Sequence, residues 1–521
     1  MSDHFDVIVV GSGAGGATLA QRLAPTGKSI LILERGEHLP REVENWDPQS
    51  VFIDHKYRTK EQWFDRRGKP FTPNCHYWVG GNTSFYGAAL MRLRESDFGP
   101  VQHAGGLSPA WPIGLSDLVP YYDEAERLWR VHGQRGVDPT ERGDEPAYAF
   151  PPVRDDPGIA RLRSHLQDQG WRPFALPLGV NLDEDRPLTS ACIRCKTCGG
   201  YPCLVKAKSD ARSLAVEPLL GAANVTLLTG RKVRRLETDG AGRAVTQVVC
   251  ETAQGEERWS ADLVVLAAGT VNTACILLGS ANGAHPNGLA NGSDQVGRNY
   301  AFHTLTAMVS LTAAPVETSF PKTLAVNDFY HRDPRGGFDF PMGHIQLLEY
   351  MSGKTLEGQV SDFLPPALVP DVFTEAMAHR ILSFLVISED LPSADNRVRL
   401  LPDGRISLEY QHNNLDGHER LVQTLHAALD GFVDQAHPFS QHRLELDSLL
   451  PLYGTAHQLG ATRFGTDPAS SVLDVNCKAH ELDNLYVVDS GFFVSSAAVN
   501  PTLTIVANAM RVGDAIKARL S

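Results

Sequence analysis

Short apolar runs that alternate with glycine turns and helical patterns mark both ends of this chain. Near the N-terminus VIVV occupies residues 7–10, a helical pattern follows at 17–24, and a second apolar run, ILIL, lies at 30–33. Runs of this length that are rich in β-branched residues predict buried strands, and strands alternating with helices predict a parallel sheet. The strand-to-helix pattern returns at 261–278 and again from residue 484 onward. We therefore predict an α/β domain assembled from distant parts of the chain.

Glycines between the first strand and the first helix match the pattern G-x-G-x-x-G. Gly11, Gly13 and Gly16 fill the three glycine positions, with Ser12 between the first two. The first glycine permits a tight turn, the second lets the backbone approach a pyrophosphate, and the third lets the helix pack closely on the strand. Glu34 ends the second strand, roughly 20 residues on, where a carboxylate is expected to accept hydrogen bonds from a ribose. These features in this order predict a dinucleotide site.

The middle of the chain follows a different pattern. Residues 305–450 contain strand-like runs of alternating polarity, and LPDGR at 401–405 is typical of a hairpin turn between two strands. The pattern predicts an antiparallel sheet with helices, and hence a second domain. The predicted division assigns residues 1–100, 190–303 and 455–521 to the nucleotide-binding domain and residues 101–189 and 304–454 to the second domain.

Composition agrees with two domains and excludes some classes of partner. A chain of 521 residues with 42% hydrophobic residues exceeds the usual size of a single core. The formal net charge of −13 argues against a nucleic-acid partner, because a phosphate backbone requires a basic surface. No apolar stretch reaches the ~20 residues that cross a bilayer, and the residues before the first strand lack the basic region of a signal peptide. We expect no membrane segment and a cytoplasmic location.

Four cysteines fall in one short run, CIRCKTCGGYPC, at Cys192, Cys195, Cys198 and Cys203. Their spacing, C-x2-C-x2-C-x4-C, is close to the C-x2-C-x2-C-x3-C pattern that ligates iron–sulfur clusters. Zinc sites accept similar spacings. The third alternative is a set of thiols or a local disulfide, although a cytoplasmic location disfavours a permanent disulfide. We favour this third alternative, and the other two stay open.

Six motifs then occur in one order. They are VIVVGSGAGG near the start, WVGGNT at 78–83, QVGRNYAFH at 295–303, HQLGATRFG at 457–465, NLYVVD at 484–489 and NPTLT at 500–504. With this ordered set the chain resembles the glucose-methanol-choline (GMC) oxidoreductase family over nearly its whole length, and within it the pyranose oxidases and related bacterial sugar or glycoside oxidases. The resemblance implies a Rossmann-like FAD-binding domain and a substrate domain built on an antiparallel sheet. It also favours FAD over NAD.

The resemblance assigns expected roles to individual residues. His457, which opens the H-x-x-G-x-x-R motif, is expected to be the base that removes the hydroxyl proton, a role that suits a group titrating near neutrality. Asn500 is expected to orient the substrate oxygen, whereas His303 is expected to have only a structural role. Val233, in a strand predicted over 225–237, is expected beside the adenine. The implied cofactor-binding residues are Gly11, Ser12, Gly13, Gly16, Glu34, Arg35, Gly80, Gly81, Asn82, Val233, Ala268, Asp489 and Thr502.

One departure from the pyranose-oxidase pattern concerns the attachment of the flavin. The fungal enzymes carry a histidine after the glycine pair that is joined covalently to the cofactor. Phe85 stands at the matching position here. Phenylalanine cannot form that bond, so we expect FAD to be bound non-covalently.

The function implied by the resemblance is oxidation of a secondary hydroxyl of a sugar or glycoside, at C2 or C3 of a pyranose, to a ketone. Alternatives are a non-sugar alcohol as substrate, a lyase on the same scaffold, or a flavin-binding protein without activity. The electron acceptor depends on the cysteine run. An iron–sulfur cluster would pass electrons to an external acceptor, whereas without one O2 could react directly.

Overall fold

The computed structural model describes residues 4–312, 315–360, 371–430, 432, 444–454 and 456–521. Its strands are β1 (His4–Val10), β2 (Ile30–Leu33), β3 (Trp63–Asp65), β4 (Pro70–Phe71), β5 (Val101–His103), β6 (Gly106–Ser108), β7 (Val131–His132), β8 (Phe174–Ala175), β9 (Leu178–Gly179), β10 (Val225–Leu228), β11 (Lys232–Thr238), β12 (Val245–Thr252), β13 (Gly255–Leu266), β14 (Thr304–Leu311), β15 (Leu324–Val326), β16 (His344–Leu347), β17 (Ile381–Ser388), β18 (Arg397–Leu400), β19 (Ile406–Glu409), β20 (Leu444–Leu449) and β21 (Leu485–Val487).

The helices connect and cover these strands. They are α1 (Ala14–Leu23), α2 (Leu115–Leu128), α3 (Pro157–Asp168), α4 (Thr270–Leu278), α5 (Gly353–Val360), α6 (Asp371–Ala378), α7 (Leu415–Leu429) and α8 (Thr502–Leu520). Within the described ranges, none of them combines the length and apolar character that crossing a membrane requires.

The first sheet forms the α/β domain. Across the described residues its order is β10-β2-β1-β13-β12-β11, with β21 also paired to β13. β10, β2, β1, β13 and β21 run parallel, and Val9 is paired with Ile32 on one side and Val265 on the other. The strands of Val7–Val10 and Ile30–Leu33 are buried throughout, as expected for a parallel sheet covered on both faces. Distant parts of the chain therefore build one sheet, which confirms the predicted α/β domain.

The second sheet is antiparallel, as predicted. Its order is β20-β14-β17-β16-β15-β8 in the described residues. The central strand β17 is buried along its whole length. Leu385 and Ile387 on this strand join the main apolar core, whereas Leu382 and Phe384 pack in a second core with apolar residues of α3 and α7. Because both faces are covered, ILSFLVIS is mostly apolar, with only Ser383 and Ser388 polar, and does not alternate.

Two details of the predicted fold were wrong. LPDGR does form a hairpin turn, between β18 and β19, but this hairpin lies in a separate four-stranded sheet with β3 and β4. Residues 225–237 are two strands rather than one, because the chain turns at Gly230, whose φ is 67°. The apolar half, β10, pairs in parallel with β2, and the charged half, β11, pairs antiparallel with β12.

Candidate active site

A cavity of about 1070 Å³ is lined by residues of both sheets. The glycine loop after β1 lies on one side, and residues of β14, β16 and β17 lie on the other. His457 and Asn500 line the same cavity. Most of the predicted cofactor-binding residues share it, namely Gly11, Ser12, Gly13, Glu34, Arg35, Gly81, Asn82, Val233, Ala268, Asp489 and Thr502.

A side chain at each of the three glycines of the first loop would have a different consequence. Gly11 has a φ of 101°, and a Cβ there would lie 2.4 Å from the carbonyl oxygen of Ala267. A Cβ on Gly16 would lie 2.1 Å from the carbonyl oxygen of Gly11, so Gly16 lets α1 pack against the loop and does not itself line the cavity. A Cβ on Gly13 would meet no atom within 4 Å. The protein itself requires Gly11 and Gly16, whereas Gly13 keeps space free at the cavity wall, which fits a pyrophosphate there.

Glu34 braces this loop from behind. Its carboxylate accepts hydrogen bonds from the Ser12 amide (3.0 Å), the Ser12 hydroxyl (2.6 Å) and the Gly36 amide (2.8 Å). Burial raises the pKa of Glu34. The Ser12 hydroxyl also accepts from the Gly80 amide at 3.1 Å, so Gly80 supports the loop from outside the cavity lining. The contact of Glu34 with a ribose stays a prediction, and the structure adds its role in holding the loop.

Asp489 connects the C-terminal part of the chain to the start of α4. Its carboxylate accepts from the Thr273 hydroxyl at 2.5 Å, the Gly491 amide at 2.9 Å and the Gly269 amide at 3.1 Å. Burial raises the pKa of Asp489 to about 6, against the opposing effect of these three donors. The carboxylate thus fixes the segment that follows β21 beside the cavity.

Around the predicted Arg35, the glycine-loop end carries further polar groups that were not predicted. The Arg35 guanidinium lies 3.5 Å from the centroid of the Tyr77 ring and donates to Asn272 at 3.2 Å. Glu61 pairs with Arg35 at 3.4 Å and with Lys232 at 3.1 Å. Burial alone would raise the pKa of Glu61, but these two cations lower it to about 2. No short motif places these residues together, since they come from five separate places along the chain.

His457 and Asn500 supply the chemistry at the other end. Burial lowers the pKa of His457 to about 4, so its ring is neutral at physiological pH and able to accept a proton. Asn500 is 7% exposed, and its Oδ1 has no hydrogen-bond partner among the described residues. Pro501 and α8 follow directly. A buried amide oxygen without a partner is costly unless something else satisfies it, and Asn500 is one of the residues that line the cavity.

His303 is the residue whose importance sequence analysis missed. It is fully buried, and its φ of 68° is uncommon for a residue other than glycine. Its Nε2 donates to the carbonyl of Ser496 at 2.9 Å, and its ring packs edge-on against His457 with centroids 5.2 Å apart. Ser496 lies four residues before Asn500. One side chain therefore contacts both predicted catalytic segments. The motif QVGRNYAFH contains this histidine, but nothing local in it reveals contacts with residues about 150 and 190 positions away.

The position that would carry a covalent flavin link holds Phe85, which is buried and lines the cavity. Its ring stacks on His76 with centroids 3.8 Å apart and an interplanar angle of 13°. Burial lowers the pKa of His76 to about 4. His76 Nδ1 contacts the Tyr57 carbonyl at 3.2 Å.

None of the four cysteines of the run lines the cavity, although Gly199, Gly200 and Tyr201 of the same run do. In the described ranges, which include all four of these cysteines, no three His, Cys, Asp or Glu side chains are grouped so that they could hold a metal ion. The four thiols are free. Cys198 accepts from Lys322 at 3.0 Å, and Cys203 accepts from the amides of Ala207 and Lys208. The geometry of the described residues gives the iron–sulfur and zinc hypotheses no support.

Comparison with known proteins identifies the family. Models of the GMC oxidoreductases match residues 163–305 and 392–509, and a model of an NAD(P)-binding Rossmann-like domain matches residues 9–59. A 6'''-hydroxyparomomycin C oxidase from Streptomyces lividus is 32% identical, with 99% of this chain and 92% of that protein aligned. The chain belongs to the GMC oxidoreductase family.

Other GMC relatives are similar over comparable lengths. A paromamine 6'-oxidase from Streptomyces fradiae is 31% identical over 98% of this chain and 91% of that protein. A 2-methyl-1,2-propanediol dehydrogenase from Mycolicibacterium austroafricanum is 28% identical over 100% of this chain and 96% of that protein. The solved structure of pyridoxine 4-oxidase from Mesorbium loti matches with a TM-score of 0.67 at 18% identity, covering 99% of both chains, which supports the fold. As a GMC oxidoreductase, the protein is a flavin enzyme that acts on CH–OH groups.

Proposed function

We propose that this GMC oxidoreductase binds FAD in the described cavity and oxidises a hydroxyl of a sugar or glycoside to a carbonyl. The observation that carries the proposal is the meeting of the glycine loop with His457 and Asn500 around one cavity. The open space beside Gly13 and the Oδ1 of Asn500, which lacks a hydrogen-bond partner among the described residues, both fit a cavity that binds a cofactor and a substrate. The printed names of two relatives, which mention paromamine and paromomycin, support a sugar-like substrate.

The roles of the residues follow from their chemistry. FAD, when bound, supplies the acceptor for the hydride that leaves the carbon. The neutral ring of His457 accepts the hydroxyl proton, and burial keeps this ring unprotonated before the substrate arrives. The amide of Asn500 holds the substrate oxygen in place for that transfer. His303 fixes both segments, through its packing on His457 and its bond to Ser496.

The cofactor is proposed to be held without a covalent bond. Phe85 offers no nucleophile, and His76, the neighbouring imidazole, is stacked against it. Acid precipitation of the purified holoenzyme should leave the flavin in the supernatant. A pellet that keeps its flavin absorbance would contradict this.

The oxidised hydroxyl is either one on the pyranose ring or the exocyclic one at position 6. The resemblance to pyranose oxidases implies oxidation at C2 or C3 of a pyranose to a ketone. The relatives' names mention positions 6' and 6''', and position 6 of a hexopyranose carries the exocyclic primary hydroxyl, which would give an aldehyde. A methyl glucopyranoside and its 6-deoxy analogue distinguish them, because the 6-deoxy sugar remains a substrate only if a ring hydroxyl reacts.

The experiment that tests the proposal is a panel of free sugars, glycosides, aminosugars and simple alcohols, scored by bleaching of the flavin without oxygen. Bleaching by a sugar supports oxidation, and its absence with every sugar, together with bleaching by a simple alcohol, would favour a non-sugar substrate. Admission of air and measurement of hydrogen peroxide then show whether O2 is the acceptor.

A further inference from the structure

A carboxylate on the substrate side of the cavity lies in a slot between two glycines. Glu349 lies two residues after the end of β16, and it lines the cavity. A Cβ on Gly87 would lie 2.4 Å from Oε1 of Glu349, and a Cβ on Gly199 would lie 1.8 Å from its carboxyl carbon. Neither glycine has a positive φ, so backbone conformation does not explain their presence. Each leaves room for this carboxylate.

A buried lysine forms the floor of the slot. The side chain of Lys322 is 2% exposed, and its Nζ donates to the Gly87 carbonyl at 2.6 Å and to Cys198 at 3.0 Å. Its third contact, with Oε1 of Glu349, is longer, at 3.5 Å. Burial alone would lower the pKa of Lys322, but Cys198 and Glu349 raise it above its ordinary value, so the ammonium stays charged. The carboxylate and the ammonium together carry no net charge.

A second buried lysine holds the walls of the slot in place. Nζ of Lys208 donates to the carbonyls of Ser84, Tyr86, Cys198 and Tyr201 at 2.7–3.2 Å. The two lysines therefore join the segment that contains Gly87 to the cysteine run that contains Gly199. The conformation of the run therefore does not require a metal, because Lys208 bonds to its backbone carbonyls and Lys322 bonds to the Cys198 thiol.

The carboxylate keeps acceptor positions for a ligand. A carboxylate has about four lone-pair sites, and in the described part of the chain Glu349 has only the long contact to Lys322. Its side chain is 20% exposed, toward the cavity. Gln346 and Ser383 line the same wall, and the Ser383 hydroxyl has no partner among the described residues. This wall thus offers several polar groups beyond its apolar residues, Leu305, Ala307 and Leu385.

We propose that Glu349, held by Lys322, is a specificity-determining residue that accepts hydrogen bonds from ring hydroxyls of a neutral sugar. The paired ammonium offsets the carboxylate charge, so the site favours hydroxyl donors over a substrate ammonium group. The inference rests on the proposed function and deepens it, because it names the uncharged polyhydroxylated ring as the preferred substrate. A monohydroxy alcohol has no second hydroxyl for this site.

The test compares Glu349→Gln with the wild-type holoenzyme on three substrates: a neutral glycoside, the matching aminosugar and benzyl alcohol. The substitution keeps the volume but removes the charged acceptor. A hydrogen bond to a charged group contributes ~1.5–3 kcal/mol, so kcat/KM for the neutral sugar should fall about 10-fold to 100-fold, mainly through KM. kcat/KM for benzyl alcohol should change less than about threefold. Glu317→Gln, at a 66% exposed side chain outside the cavity lining, is the control and should change neither.

The other outcomes of this test distinguish failure of the Glu349 inference from failure of the proposed function. An equal loss on all three substrates, or no loss on the sugar, would overturn the inference while leaving sugar oxidation intact. A loss confined to the aminosugar would assign Glu349 to an ammonium instead. If the wild-type enzyme oxidises benzyl alcohol but no sugar, the proposed function itself fails. If Glu349→Gln does not fold, Gly199→Ala replaces it. The added methyl would displace the carboxylate and should raise the KM for the neutral sugar selectively, with flavin content unchanged.

Discussion

The two ends of the cavity are built in different ways. The glycine loop itself presents mainly backbone to the cavity, and a single strand, turn and helix within residues 4–23 set its shape. At the substrate end the wall consists of side chains from separate segments, among them Lys322, Glu349, His457 and Asn500. His303 lies outside this lining and packs on His457. A backbone site tolerates almost no change in its local conformation. A side-chain site depends on how distant segments pack.

This difference implies that the two ends can be disabled separately. A change in the glycine loop that meets no protein atom, as at Gly13, should weaken cofactor binding and leave the protein folded, whereas changes at the substrate end should leave the cofactor bound and remove turnover. The following predictions test that separation.

The largest effect is expected from His457→Ala. Loss of a positioned general base reduces rate by about 10²-fold to 10⁴-fold, so sugar-dependent bleaching of the flavin should slow by that factor. Flavin content should remain that of the wild-type enzyme, because the substitution is at the substrate end. His379→Ala, at a side chain that is 48% exposed, is the control. A His457→Ala enzyme with loss of flavin instead of loss of rate would show that the two ends are not separable.

The second effect concerns the pair Gly13→Ala and Gly11→Ala. At Gly13 the methyl meets no protein atom within 4 Å, so the flavin-free protein should melt at the wild-type temperature but bind FAD at least tenfold more weakly. At Gly11 the backbone is left-handed and the methyl overlaps the Ala267 carbonyl, so the flavin-free protein itself should lose stability. A positive φ alone costs about 1–2 kcal/mol for a residue with a Cβ. Calorimetry and flavin titration measure the two effects. Wild-type affinity for FAD in Gly13→Ala would mean that no pyrophosphate lies beside this residue.

What the sequence could predict follows the same division. The glycine loop, the α/β domain and the antiparallel sheet were predictable, because each depends on a local pattern of apolar residues and turns. The division of residues 225–237 into two strands was not, because the periodicity of VTLL and KVRRLE does not show that a left-handed Gly230 separates them. The positions of His457 and Asn500 on one cavity followed from a family resemblance and not from local physics.

The contacts of His303 and Glu349 lay beyond any local pattern. His303 owes its position to a bond with Ser496 and to packing on His457, and Glu349 to a slot formed by two distant glycines. Such contacts exist only after the two sheets have packed. For the cysteine run the spacing alone left three alternatives open. It matches ligand patterns, but in the structure Lys322 donates to the Cys198 thiol and two backbone amides donate to the Cys203 thiol.

A third, smaller effect distinguishes the two contacts of His303. His303→Phe keeps an aromatic ring against His457 but removes the donor to Ser496, whereas His303→Gln keeps a donor near the position of Nε2 and removes the ring. Both variants share the strain of the left-handed backbone, so that strain cancels in the comparison. A neutral hydrogen bond contributes ~0.5–1.5 kcal/mol, so kcat should fall up to about tenfold in His303→Phe and less in His303→Gln, with unchanged flavin content. The reverse order would mean that packing on His457 matters more than the position of the Asn500 segment.

The smallest effect is expected for the pH dependence of the rate near neutral pH. Burial lowers the pKa of His457 from 6.5 to about 4, so the neutral ring persists as pH falls, and the rate of sugar-dependent bleaching should stay constant down to about pH 5. It should halve near pH 4, where the ring becomes protonated and can no longer accept the hydroxyl proton. A midpoint near 6.5 would show that the ring is solvated in the loaded enzyme.

The same shift affects stability, because below pH 6.5 the unfolded chain binds a proton that the folded chain does not. Stability therefore falls as pH drops from about 6.5 to about 4, and His457→Asn should lose less over this interval than the wild-type protein. That difference, measured by denaturant unfolding at pH 7 and pH 5, separates the burial of His457 from its role in catalysis.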